Sequence, residues 1–358
     1  MSTHLVTGFP GFIGRRLVAA LLQDDSLDRI VALVEPRMLP AATAAAAEIE
    51  HGERLDVVAG DITDRRLGLE AAAYDALAAE VEVVHHLAAI YDLAVPEAIA
   101  QRVNVEGTGN VLDLCRAAER LRRLNYVSTA YVAGVRTGVV YEHELVMGQA
   151  FKNHYESTKF QAEVWVRELM DEIPTTIIRP GIVVGDSRTG ETQKFDGPYY
   201  LLRFVAASVE RRMPIANIGR GAVPFNVVPV DFVVDAMVAL GNLDAAAGET
   251  IHLCDPEPVT SAELVEILAE LYAQRRPSYR LPPRSVSSAL RFRAVRDLYG
   301  GTPAESVRYL NHPVRYDTRR ATDLLAASGL RCPRFPEYAP AMVDFFRRHE
   351  HDPLFASK

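Results

Sequence analysis

The chain is almost without lysine. Lys152, Lys159, Lys194 and Lys358 are the only four in 358 residues, and nearly every other fixed positive charge is arginine. A lysine kept in that background is a candidate for a role that arginine does not fill. Cysteine is also scarce: Cys115, Cys254 and Cys332 are scattered and odd in number. That excludes a disulfide framework and any metal-ligand spacing, and it fits a cytoplasmic, reducing home. No run approaches the ~20 apolar residues that span a bilayer. Met1 to Val6 lacks a basic n-region and a long apolar core, so it reads as a first strand and not as a signal peptide. Positive charge is not in excess either, and a net charge of −8 argues against nucleic-acid binding. Aliphatic residues are not lacking. At 49% hydrophobic and 24% charged, the composition is ordinary for a globular chain and excludes disorder as the main state.

Apolar runs of strand length alternate with helical spacing. His4–Thr7, Arg29–Glu35, Leu55–Asp61, Val81–Ala89, Arg123–Thr129 and Thr175–Pro180 read as strands. Arg15–Gln23, Ala41–Ile49, Asn104–Ala118 and Tyr155–Met170 read as helices. Strands apolar on both faces belong in a parallel sheet covered by helices. The βαβα order predicts an α/β fold, a doubly wound parallel sheet of the Rossmann type with right-handed crossovers. After Pro180 the pattern loosens. Asn226–Pro229 and Asp231–Leu240 read as a strand and helix returning to the sheet. The dinucleotide-binding domain is therefore expected at 1–180 and about 226–255. A smaller substrate-binding cap is expected at about 181–225 and 256–358.

Gly8-Phe9-Pro10-Gly11-Phe12-Ile13-Gly14 sits between the first strand and the first helix. Its glycines recur every three residues. Gly8 permits a tight turn, Gly11 lets the backbone approach a pyrophosphate, and Gly14 lets the helix pack on the sheet. The helix N-terminus offers free N–H groups to phosphates. Glu35, closing the second strand, can bind both ribose hydroxyls, which favours NAD(H) and repels a 2′-phosphate. Arg37, two residues on, can hold that phosphate and favour NADP(H), or be a solvated loop charge. Asp61 is placed for the adenine edge or is a simple turn residue.

Tyr155 and Lys159 are four residues apart and share one helical face. A phenol of pKa ~10 needs help to trade protons at neutral pH, and an adjacent ammonium favours its phenolate. Such a pair suits proton exchange with a carbonyl or alcohol oxygen while hydride moves to or from nicotinamide. Ser128 and Thr129 end the preceding strand. A hydroxyl there can hold the substrate oxygen, or the two can be strand-end turn residues.

With these pieces in order, the chain resembles the extended short-chain dehydrogenases/reductases over roughly residues 4–240. The matching segments are Thr7-Gly8-x-x-Gly11-x-x-Gly14, Gly60-Asp61, His86-Leu87-Ala88-Ala89, Asn104-Val105-x-Gly107-Thr108, Val127-Ser128-Thr129, Tyr155-x-x-x-Lys159 and Arg179-Pro180-Gly181. Tyr126 to Gly134, Gly148 to Tyr155 and Ile178 to Ser187 look most like the fatty acyl-CoA reductase and thioester reductase branch. The resemblance implies Thr129 as the substrate-positioning hydroxyl, Tyr155 as acid/base and Lys159 as its partner. It implies cofactor contacts from Asp61-Ile62, Ala88-Ala89 and Pro180-Gly181-Ile182, and a homodimer through helices flanking the sheet. Glu35 departs from the arginine common at that position in this branch. With no adenylation or carrier domain in the sequence, a stand-alone protein is expected.

Asp196 to Val205 is apolar and aromatic and lies where the family builds its substrate pocket; it lines a channel for an apolar substrate or is helix core. Arg275–Arg296 holds seven arginines and suits coenzyme A phosphates, an acidic carrier protein or a membrane surface, or is a solvated face. Tyr91-Asp92 lies within reach of a substrate. The leading expectation is an NAD(P)(H)-dependent oxidoreductase acting on an apolar acyl thioester, aldehyde, keto acid or sterol-like ketone. A sugar-nucleotide epimerase or dehydratase with retained NAD uses the same residues. A non-catalytic dinucleotide sensor has no need of the Thr129/Tyr155/Lys159 set.

Overall fold

The computed structural model describes residues 2–91, 95–219, 221–298 and 304–355. Seven strands form one sheet: β1 (Thr3–Thr7), β2 (Arg29–Val34), β3 (Leu55–Ala59), β4 (Val81–His86), β5 (Arg123–Val127), β6 (Thr175–Pro180) and β7 (Thr250–Leu253). All pair in parallel, in the order β7-β6-β5-β4-β1-β2-β3. Leu5 lies beside Val31 on one side and Val84 on the other. The order therefore reverses at β1, which opens a crevice beyond the strand C-termini.

Both sheet faces are covered, as strands apolar on both faces require. On one face, Leu17, Val18 and Leu21 of α1 (Phe12–Leu21) pack with Val233 and Met237 of the later helix Val230–Gly241. Burying each such side chain contributes about 1.5–3 kcal/mol. On the other face, Leu5, Val31, Tyr126 and Ile177 meet Val111 and Leu112, together with Ala162 and Val166. A separate core joins Phe195, Tyr199 and Leu202 to Leu264, Leu268, Phe335 and Phe346. That cluster belongs to the expected cap, and it holds the aromatic stretch by core packing along one helix face.

Two expectations are corrected. Val227–Pro229 does not return to the main sheet; it pairs with Ile182–Val184 beside it. The seventh strand is β7, a run of only four residues that carries a buried histidine, His252, and so lacks a plain apolar signature. The helix expected from Asn104 begins earlier, as a π-helical segment Gln101–Glu106 running into Gly107–Ala117. The Asn104 amide accepts from the Ile90 N–H at 2.9 Å and donates to Thr158 Oγ1 at 3.0 Å. Among the described residues, no helix is long and apolar enough to cross a membrane.

Candidate active site

One cavity of about 1420 Å³ opens over the crevice at β1 and β4. The glycine loop Gly8, Phe9, Pro10, Gly11, Phe12, Ile13 and Gly14 lines it. So do Glu35, Arg37, Asp61, Ile62, Ala88, Ala89, Ser128, Thr129, Tyr155, Lys159, Pro180, Gly181 and Ile182. These positions span most of the sheet order, and only the strand C-termini bring them together. Tyr91 lines it too and meets the Tyr155 ring edge-on at 5.2 Å. Asp92, named with it from the sequence, lies outside the described residues.

The loop forms a cradle that side chains would fill. Gly8 has φ +93°, and a Cβ there would lie 2.9 Å from the Ala88 nitrogen. A Cβ on Gly14 would lie 2.4 Å from the Gly8 carbonyl oxygen. Gly11 caps α1 without any side-chain hydrogen bond, and no acid occupies its first turn. The helix end is thus left for an anion, which fits a dinucleotide pyrophosphate. At the far side, Arg37 Nε donates to Glu35 at 2.6 Å.

The turn after β4 is fixed by a proton chain. The Thr108 hydroxyl donates to the Asn104 carbonyl at 2.7 Å, so it accepts from His86 Nε2 at 3.0 Å. In the neutral ring Nδ1 then accepts from the Thr7 hydroxyl at 2.7 Å, whose oxygen accepts from the Ala88 N–H at 3.2 Å. Burial lowers the His86 pKa to about 3, with Lys159 acting in the same direction, so the ring stays neutral as this chain requires.

The catalytic candidates sit on a helix, α2 (His154–Glu168), whose start is capped by Asn153 accepting from the Glu156 N–H at 3.0 Å. The Tyr155 phenol and the Thr129 hydroxyl line the cavity together. Burial pushes Tyr155 up to about 12, opposed by the nearby Thr129 hydroxyl, so the phenol is protonated at neutral pH. Lys159 donates to the Val127 carbonyl at 2.8 Å and lies 4.4 Å over the Tyr126 ring. Burial pulls Lys159 down to about 7, opposed by Glu163.

Ser128 lines the cavity with Thr129, but its hydroxyl is committed to Glu163, to which it donates at 2.6 Å. Glu163, one further helical turn from Lys159, is fully buried and paired with fully buried Arg179 at 2.5 Å. Arg179 also donates to the Glu142 and Glu144 carbonyls at 3.2 and 2.9 Å. Burial raises Glu163, but Arg179, Arg167 and Ser128 outweigh it and hold the carboxyl below its usual range. Sequence reasoning assigned no role to Asn104, Glu163 or Arg179. The continued spacing Tyr155, Lys159, Glu163 was the available signal.

Leu201, Phe204, Ile218, Phe225, Val286, Leu290, Val307 and Leu310 give the cavity an extended apolar wall, with Arg102, Gln193, Lys194 and Asp196 among the polar residues that also line it. This wall is built by the loosely patterned C-terminal half.

Comparison with known proteins agrees with this fold. The model of the NAD_binding_4 family, described as male sterility protein, matches residues 6–237. The chain is 27% identical over 370 residues to a linear gramicidin synthase of Brevibacillus parabrevis, across 96% of this chain and 7% of that protein. It is 28% identical over 302 residues to a carboxylic acid reductase of Segniliparus rugosus, across 75% of this chain and 25% of that one. The chain thus spans a quarter or less of these two relatives. The solved terminal R domain from the myxalamid PKS-NRPS biosynthetic pathway superposes with a TM-score of 0.81 at 26% identity, over 98% of this chain and 91% of that one. A UDP-glucuronic acid 4-epimerase from Bacillus cereus in complex with NAD has a TM-score of 0.67 at 19% identity, over 97% and 99% of the two chains, and shares the fold alone. With more than half its length matched, the chain belongs to the male sterility protein family, in the thioester reductase-like branch of the extended short-chain dehydrogenases/reductases.

Proposed function

We propose that the protein reduces an apolar acyl thioester to an aldehyde with NAD(P)H, the acyl group being delivered on a carrier protein. One observation carries this reading. Tyr155 and Thr129 line one cavity together with both the glycine cradle and an extended apolar wall. A sugar-nucleotide substrate has no use for walls of leucine, valine and phenylalanine.

The cradle holds the dinucleotide, and reduced nicotinamide supplies the hydride when bound. Thr129 and Tyr155 hold the thioester carbonyl oxygen. As hydride adds to the carbonyl carbon, Tyr155 gives its proton to that oxygen, forming a hemithioacetal. The C–S bond then breaks, the hydroxyl proton leaves with the thiolate as free thiol, and the aldehyde remains. Lys159, one turn along the same helix and lining the same cavity, supplies the positive charge that steadies the phenolate left on Tyr155. The direct test is octanoyl-pantetheine with NADH or NADPH. Nucleotide oxidation matched by trapped octanal supports the reading. Tight nucleotide binding with no oxidation on any thioester tested would end it.

The Lys159 charge predicts a pH dependence. Its ammonium is lost as pH rises through about 7, so kcat/KM is expected to decline above that value. Tyr155, near 12, stays protonated throughout and adds no limb. A kcat/KM profile level from pH 6 to pH 9 would remove Lys159 from this role.

Glu35 sets the nucleotide preference in the same reading. Its carboxylate takes the ribose hydroxyls, repels a 2′-phosphate and holds Arg37. NADH is expected to be preferred about tenfold, the equivalent of ~1.4 kcal/mol of repulsion. Glu35→Gln frees Arg37 and should raise kcat/KM for NADPH about tenfold while lowering it for NADH. An unchanged ratio would show that the 2′ position is read elsewhere.

A further inference from the structure

Residues 275–296 contain seven arginines and not one acid, in a chain whose net charge is −8. All seven are exposed. Arg275, Arg284, Arg291 and Arg296 have no ion pair among the described residues, whereas Arg276 meets Glu270 at 3.4 Å. Phe292, between two of the arginines, is 69% exposed, and Tyr279 is exposed as well. Exposed arginine mixed with aromatic rings, and free of acids, is the composition of a protein interface. The same segment has an inner face. Ser285, Val286 and Ala289 of the helix Pro283–Ala289, and then Leu290, line the substrate cavity. One helix, about 10 Å across, separates the basic face from the channel.

We propose that the outer face of residues 275–296 docks the acidic carrier protein that presents its thioester to this channel. The inference rests on the thioester reductase reading. The charge pattern explains the choice of face: an acidic partner is repelled by most of the molecule and attracted here, which orients its approach. Coenzyme A fits the same face less well. Its clustered phosphates call for converging, part-buried cations, and these arginines are exposed and spread over a strand and two helices.

The test compares wild type with the double reversal Arg284→Glu/Arg291→Glu, neither residue lining the cavity. The substrates are octanoyl groups on an acidic acyl carrier protein, on pantetheine alone and on coenzyme A. Binding of the fluorescently labelled, octanoyl-loaded carrier is measured by anisotropy in parallel. The reversal is expected to raise KM for the carrier-borne substrate at least ~10-fold and leave octanoyl-pantetheine within ~2-fold. Added salt should weaken carrier binding to wild type and not to the variant. A wild type that binds the carrier in a salt- and arginine-dependent way yet reduces no thioester supports docking and sinks the thioester reading. Docking itself is overturned by any of four results. These are no carrier binding to wild type at low salt, equal binding by the variant, an equal loss on pantetheine, or a loss confined to coenzyme A.

Discussion

Replacing Tyr155 by phenylalanine is expected to cut turnover by about 10²–10⁴-fold while nucleotide affinity holds within about twofold. The substitution removes one oxygen and keeps the ring, so the edge-on contact with Tyr91 at 5.2 Å survives. The glycine cradle lies on β1 and α1, remote in sequence from α2, and loses no contact. What disappears is the proton. Burial holds the Tyr155 phenol protonated near pKa 12, with the Thr129 hydroxyl lining the same cavity. Water entering the gap cannot match a positioned acid. Stopped-flow nucleotide binding and single-turnover reduction separate the two readouts. Full turnover by the phenylalanine variant would falsify the assignment and shift attention to another cavity hydroxyl.

Arg179→Met should be the most damaging change to stability, costing about 3–5 kcal/mol of unfolding free energy. Arg179 and Glu163 are both fully buried, and their pairing at 2.5 Å compensates two desolvated charges. Methionine leaves the Glu163 carboxylate with only Arg167 at 3.2 Å and Ser128 at 2.6 Å. The sign of the pH dependence then reverses. In wild type, Glu163 is held below its usual range, so its stabilisation is present above the unfolded carboxylate pKa of ~4.3 and is lost on stronger acidification. In the variant the dominant influence becomes burial, which raises the carboxyl. Its deficit should therefore shrink between pH 8 and pH 5, as a protonated Glu163 tolerates the interior. Urea unfolding at the two pH values measures this. Adding Glu163→Leu to Arg179→Met should recover part of the loss, because the unpaired charge is gone. A single variant within about 1 kcal/mol of wild type would show that the pair is dispensable.

The N-terminal half was legible because its signals are local. Apolar runs of strand length marked β1 to β6, and glycine spacing marked the crevice. β1 and β6 end where their reading from sequence did, but β2 to β5 stop one to three residues earlier: β4 ends at His86 and β5 at Val127. The residues left over, Ala88, Ala89, Ser128 and Thr129, are those that line the cavity. Apolarity continues past the last ladder hydrogen bond, so composition alone extends the strand. Elsewhere the local signal failed for a stated reason. Val227–Pro229 has the pattern of a sheet strand, but Ile182–Val184 captures it. β7 was hidden because buried His252 interrupts its apolar run, its ring bonded to Arg179 at 3.2 Å and to the Asp317 carbonyl at 2.8 Å.

What the sequence determined by itself is the doubly wound sheet, the phosphate cradle and the Tyr155/Lys159 face of one helix. Those follow from period, from glycine sterics and from a four-residue spacing, all of which act within a few residues. The tertiary structure alone decided which of two adjacent hydroxyls is committed. Ser128 turns to Glu163, and Thr129 lines the cavity with Tyr155. It also decided that an arginine of β6 neutralises a glutamate of α2, and that a weakly patterned C-terminal half closes the apolar wall. These are contacts between residues far apart in the chain. Their partners are fixed by burial, which makes an unpaired charge or an unmet hydroxyl too costly to leave, and burial exists only once the chain has folded.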